Sequence, residues 1–155
     1  MRLAAWAVTL GVCILAGCAG EPGTASQPML LESKSVEKLY GVQWELKSLT
    51  VDGTRVIMHP DAPMAIAFGP NGQVGGYGPV NQFRGTYAIS KDGQLSWPAP
   101  GLSVTRKAGP PELMDKETAF FKGVPRTTRA ILAGDALQLQ SEDGRTVMAF
   151  VKFGS

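Results

Sequence analysis

The stretch "GGYGPVNQFRGTY", residues 75–87, admits two readings that lead to different proteins. As a glycine-rich grip on a ligand it belongs to a nucleotide binder or an enzyme; as a bend between two strands it belongs to an antiparallel meander. A P-loop needs a lysine followed by Ser or Thr at the end of its glycine run, since the ammonium and hydroxyl complete the phosphate and metal contacts. Asn81, Gln82 and Phe83 stand there instead. The stretch is therefore read as mostly structural. Its glycines are expected to allow positive φ at a sharp bend, Asn81 to bond nearby backbone through its side chain, and Tyr87 to re-enter a strand. Gly76, Asn81, Gly85 and Tyr87 are retained as a candidate contact loop for a small polar ligand or a partner.

On both sides of this stretch the apolar residues recur with period two. Trp44, Leu46 and Ser48 alternate with Glu45 and Lys47; Met64, Ile66 and Phe68 alternate with small residues; Leu137 and Leu139 alternate with Gln138 and Gln140. Asp52-Gly53, Asn71-Gly72, Asp92-Gly93, Gly134-Asp135 and Asp143-Gly144 separate the runs, and these dipeptides tolerate the positive φ of tight hairpins. The run Thr146–Phe153 is apolar on both sides in places, as a central strand should be. One segment changes period. Pro110-Pro111-Glu112 suits a helix start, Leu113, Phe120, Phe121 and Val124 share a face, Asp115, Lys116 and Lys122 are placed to stay wet, and Gly123 with Pro125 supplies the stop. The fold class is α+β: a curled, antiparallel sheet with one main helix over an open end or a face.

The amino terminus carries an address. Arg2 precedes an apolar run of 14 residues, Leu3 to Ala16, too short to span a bilayer and suited to the h-region of an export signal. Leu15-Ala16-Gly17-Cys18 resembles the bacterial lipobox, in which the thiol of the cysteine takes a diacylglyceryl group and cleavage leaves that cysteine first. The plan is a lipoprotein signal peptide over 1–17, lipidated Cys18 with a flexible tether over 18–35, and a folded domain over 36–155. Docking of Met29-Leu30-Leu31 on the domain is the alternative for the end of that tether. Acyl chains of the palmitate type on Cys18 hold such a protein stably at a membrane. Residue 19 is Ala rather than the Asp that favours inner-membrane retention, so the expected place is the outer membrane, facing the periplasm.

Cys13 and Cys18 are the only cysteines, so the exported domain has neither thiol nor disulfide and depends on packing. The formal charge of +2, with Arg and Lys scattered, lacks the basic stripe of a nucleic-acid binder. His59 is the only histidine and lies in the proline-bounded turn "MHPDAP"; beside Asp61 it has no nucleophile-elbow sequence to complete a Ser-His-Asp set. A metal site draws on several His or Cys residues, which are missing. Asp52, Asp61, Glu112 and Asp115 are spaced as surface and cap residues, and Arg126 and Arg129 read as solvated charge with anionic lipid or a partner as the alternative. No catalytic residue, cofactor or metal ligand is assigned.

Leu39-x-Gly41-x-x-Trp44-x-Leu46-x-x-Leu49, then Gly76, Asn81, Gly85 and Tyr87, then Thr105-Arg106-Lys107-Ala108-Gly109 leading into Glu112-Leu113-Met114 and Glu117-x-x-Phe120, resemble the META domain, the family of the heat-shock lipoprotein HslJ. The resemblance runs from about Leu39 to the end. It implies a compact barrel-like α+β fold and an envelope role linked to heat shock, tolerance of novobiocin, and in some members motility or virulence. Typical members carry Gly-Cys-Asn in the loop and a second cysteine before the helix, thought to pair; here those places hold Pro79-Val80-Asn81 and Gly109. A redox role for that pair does not transfer. Two functions are weighed: a non-enzymatic envelope lipoprotein acting in envelope integrity or stress tolerance through protein contact, and a carrier of a lipid or small hydrophobic molecule in a barrel cavity.

Overall fold

The computed structural model describes residues 26–154, so Cys18 and the export segment lie outside the described residues. In chain order the strands are β1 (Met29–Leu30), β2 (Gln43–Val51), β3 (Thr54–Val56), β4 (Ala65–Phe68), β5 (Gln73–Tyr77), β6 (Gln82–Thr86), β7 (Ala88–Ile89), β8 (Leu95–Ser96) and β9 (Ser103–Val104). The helix α1 (Pro111–Gly123) follows, then β10 (Arg129–Ala133), β11 (Ala136–Gln140) and β12 (Val147–Lys152). The main sheet runs β1-β10-β11-β12-β2-β4-β5-β6-β9, with β3 attached to β2, while β7 pairs with β8 separately. The pairings are antiparallel, and the sheet is strongly curved without closing. This is the α+β arrangement with one main helix that the periodicity predicts, and it is barrel-like as the resemblance implies.

The turn dipeptides behave as their chemistry dictates. Asp52 (φ 53°) and Gly53 (φ 80°) are both left-handed, as the two central residues of the tightest hairpin turn must be, and they reverse β2 into β3. β12 lies between β11 and β2, as its apolar character requires.

The inward row of β2 is Trp44 and Leu46, then Leu49 and Val51, so the phase of the alternation slips midway. The cause is a bulge: Ala149 faces Ser48 but its neighbour Phe150 faces Leu46, leaving Lys47 without an opposite residue. Ser48, expected inward with Trp44 and Leu46, is thereby turned out of the core. The tether also ends earlier than Ser35. Met29 and Leu30 pair with Leu132 and Ile131, and Leu31 is fully buried, so this short apolar run docks as an edge strand.

Leu39, Trp44, Ile66, Phe83, Phe120, Met148 and Phe150 fill the interior of the curled sheet. The helix enters it through Phe120, which sits 5.8 Å from Phe83 in an edge-on ring contact, with Phe121 5.5 Å from the same ring. Lys116, expected wet, is largely covered, its side chain 14% exposed beside Glu112. Among the described residues no helix is long and apolar enough to cross a membrane.

Three of the four glycines of 75–87 lie within strands and do not bend the chain: Gly75 and Gly76 are inside β5 and Gly85 inside β6, and none of the four has positive φ. The corrected reason for glycine is proximity. A Cβ on Gly76 would overlap the Ala65 carbonyl oxygen and come within 2.7 Å of the Phe83 ring, whereas one on Gly75 would meet nothing nearer than 3.4 Å. Gly76→Ala is thus expected to destabilise the domain by about 2 kcal/mol or more through overpacking, while Gly75→Ala stays close to wild type. Urea unfolding of the two variants distinguishes them, and equal stabilities would refute the steric reading.

Candidate functional site

Between β5 and β6 only Gly78-Pro79-Val80-Asn81 forms a turn, closed by a hydrogen bond from the Gly78 amide to the Asn81 carbonyl at 2.7 Å. Beneath it lies Glu117, the centre of the turn's polar contacts and 3% exposed. Its Oε1 accepts from the Val80 amide at 3.0 Å and the Asn81 amide at 2.6 Å, and its Oε2 accepts from Asn81 Nδ2 at 2.6 Å. Asn81, equally buried, also donates from Nδ2 to the Lys107 carbonyl at 3.2 Å. Its Oδ1 accepts from Thr105 Oγ1 at 2.8 Å and the Lys107 amide at 2.7 Å. Both amide hydrogens and both acceptor positions of Asn81 are used. It links helix, turn and the segment between β9 and the helix, with no capacity left for a ligand. A Cβ on Gly78 would lie 2.6 Å from Glu117 Oε1, so glycine is required there too.

Glu117 is the residue that sequence reasoning overlooked. The resemblance quoted it without a role, and the helical spacing held the signal: four residues after Leu113, three before Phe120 and four before Phe121, it puts a carboxylate on the apolar face. A charge there has to find donors inside the fold.

The four candidate contact residues are not brought together. Gly76 borders a recess of about 390 Å³ with Gln82, Arg84, Ser103 and Thr105. Gly85 borders a second recess of about 390 Å³ that shares Arg84 and Ser103 with the first. Tyr87 lies elsewhere, its hydroxyl donating to the Gly69 carbonyl at 3.2 Å and its ring edge-on to Phe68 at 4.9 Å. Burial, with the Tyr40 hydroxyl nearby, pushes its phenol above the ordinary value near 10. Asn81 is sealed in the knot.

What remains open is the strip over β6 and β9. The Arg84 side chain is exposed and meets no hydrogen-bond or ion-pair partner among the described residues, and Gln82 and Ser103 beside it are exposed too. β9 ends the strand order, so among the described residues no strand covers its far side. The Thr105 amide turns toward β6, donating to the Gln82 carbonyl at 2.9 Å; by alternation the Val104 amide and carbonyl point off the sheet. Arg106 and Lys107 continue this edge, both exposed. The strip offers hydrogen bonds and positive charge.

The other singled-out groups are dispersed. His59 Nδ1 accepts from the Asp61 amide at 3.2 Å and so has no carboxylate orienting it. Asp52 pairs with Arg126, and with Lys122 at 3.4 Å. Lys116, 3.0 Å from Glu112, holds that carboxyl below its usual range. Asp115 is exposed, and Arg129 is an exposed residue opposite Gln140. Among the described residues no three His, Cys, Asp or Glu side chains gather as a metal site would need.

A curled antiparallel sheet with one packed helix and a buried carboxylate-asparagine knot defines a compact α+β module. The META domain family model matches residues 37–153, and the chain belongs to that family, which is not a known enzyme family. A solved structure of a protein from Burkholderia xenovorans is similar at 22% identity and TM-score 0.63, over 88% of this chain and 98% of its own. A DUF4847 family protein from Bacteroides vulgatus is similar at 15% identity and TM-score 0.54, over 75% of this chain and 96% of its own. At such identities the likeness is one of fold. No curated protein matches the chain.

The knot makes two predictions. Glu117→Gln, with its carbonyl kept under the two backbone amides, sets an amide N–H against the Asn81 Nδ2–H and should cost about 1–3 kcal/mol in chemical unfolding; an unchanged midpoint would show the knot to be incidental. At the places where the family carries cysteines, a Cβ on Gly109 would lie 3.4 Å from the Val80 Cβ, close to the spacing of a disulfide. The doubly substituted Val80→Cys/Gly109→Cys protein should oxidise readily, leave neither new thiol free and gain about 3.6 kcal/mol on the loop-closure scale.

Proposed function

We propose that this protein is a non-enzymatic bacterial envelope lipoprotein, anchored by acyl chains on Cys18 at the outer membrane and facing the periplasm. Its META domain serves envelope integrity or stress tolerance by contacting another protein. The lipobox-like Leu15-Ala16-Gly17-Cys18 supports the anchor. The observation that carries the contact is the uncovered β9 edge, with outward backbone groups at Val104 beside the unpaired cations Arg84 and Arg106. Such an edge suits an extended segment of acidic character, bound through main-chain hydrogen bonds and charge. The carrier alternative requires an interior void. The interior positions hold Trp44, Ile66, Phe120 and Phe150, and the recesses named above lie on the surface.

In a Gram-negative host the wild-type chain should fractionate with the outer membrane, and Cys18→Ala should release it from the membrane without unfolding it. A photo-crosslinking residue at Ser103 should capture a protein partner of one size, whereas the same group at exposed Ile57 should not. Arg84→Glu should weaken that capture and leave the melting temperature unchanged. Absence of a specific adduct at Ser103 in membrane-bound protein would remove the contact reading.

A further inference from the structure

We infer that the end of the sheet carrying Phe153 rests on the membrane, with the Phe153 ring inserted at the lipid interface as a second, non-covalent anchor. The inference rests on the lipoprotein reading above. Three observations bring the same end of the domain toward the bilayer. The chain enters the described structure at Ser26, whose side chain lies beside the β10–β11 turn: a Cβ on Gly134 would be 3.3 Å from Ser26 Oγ. The neighbouring Asp135 carbonyl accepts from the Lys152 amide at 2.9 Å, and the next residue, Phe153, donates to the Gln43 carbonyl at 2.8 Å. Entry point, turn and Phe153 thus share one end of the strands. Eight residue steps separate Cys18 from Ser26, so even a fully extended tether reaches only about 28 Å.

Phe153 is one of three exposed large hydrophobic residues of the described chain, at 60%. An aromatic ring held at a strand end by its own backbone hydrogen bond presents apolar area to the interface at little entropic cost, the ring having only two rotatable bonds. Ile57 is more exposed, at 81%, but lies one residue past β3, whose register puts it about five residues along β2 from Gln43, roughly 17 Å from this end. It serves as the internal control. A second copy of the chain is the competing occupant.

The experiment uses the full chain, processed in a bacterial host and reconstituted into vesicles of phosphatidylethanolamine and phosphatidylglycerol. Cys13 is removed with the signal and the sulfur of Cys18 is acylated, so Phe153→Cys and Ile57→Cys each introduce a single labelling site for an environment-sensitive fluorophore. Intact mass first reports acylation. In acylated protein, nitroxide-labelled phospholipid should quench the probe at 153 about twofold more than at 57, since interfacial side chains sit ~5–10 Å deep. Equal quenching at the two positions overturns the inference and leaves the lipoprotein reading standing. A free thiol on Cys18 overturns both. A probe at 153 that responds to protein density and not to nitroxide lipid identifies a second copy as the occupant and equally overturns it.

Discussion

The fold depends on one buried carboxylate. Glu117 brings negative charge onto the apolar face of α1, where burial without partners would be strongly unfavourable. Two backbone amides and the Asn81 side-chain amide meet its oxygens, so the carboxylate enters the interior with its lone pairs engaged. Those same three donors lie in the β5–β6 turn and its last residue. Helix and turn therefore become one unit: the helix cannot shift without stripping the turn of its acceptor, nor the turn open without stranding the carboxylate. Asn81 extends the constraint to Lys107 and Thr105, fixing the chain between β9 and the helix. The ring contacts of Phe120 and Phe121 with Phe83 supply apolar burial beside it, but they are tolerant in angle where the knot is not.

This arrangement explains how the domain can do without a disulfide. The places that the family resemblance gives to cysteines, Val80 and Gly109, lie in van der Waals contact next to the knot. A covalent link there would join the turn to the segment preceding the helix, and Asn81 and Glu117 make that junction by hydrogen bonding instead. The two differ in their response to conditions. A disulfide acts mainly by restricting the unfolded chain, whereas the knot acts only in the native state and vanishes once its members separate.

What could be read in advance follows from how local each cause is. Alternation along β11, the two-sided apolar run of β12, paired left-handed residues at Asp52-Gly53, and the Pro-led start of α1 depend on neighbours a few residues apart, and they predict the right elements. The bulge at Lys47 depends on how β12 lies against β2, so the slip from Leu46 to Leu49 left no mark in β2 itself. The glycines of 75–87 were visible as special, but their reason lies in Ala65, Leu102 and Glu117, which approach from other elements. Two-residue strands such as β7, β8 and β9 carry too little sequence to show any period. For the candidate site, Gly76, Asn81, Gly85 and Tyr87 were found as positions and misread as one loop, while Glu117 was hidden by the habit of reading a helical acid as solvated.

The sheet's two ends are treated differently. β1 comes from the segment just ahead of β2 in the chain, and the adjoining Leu31 is fully buried, so that edge is capped by the chain itself wherever the domain folds. β9 has no such cap. It is only two residues long, and the cations Arg84, Arg106 and Lys107 stand along it. A short edge bearing one sign of charge resists pairing with a second copy of itself, because like charges would be brought opposite one another. The same features leave an acidic strand free to pair. Rejection of self and acceptance of an oppositely charged segment are then one property of the edge.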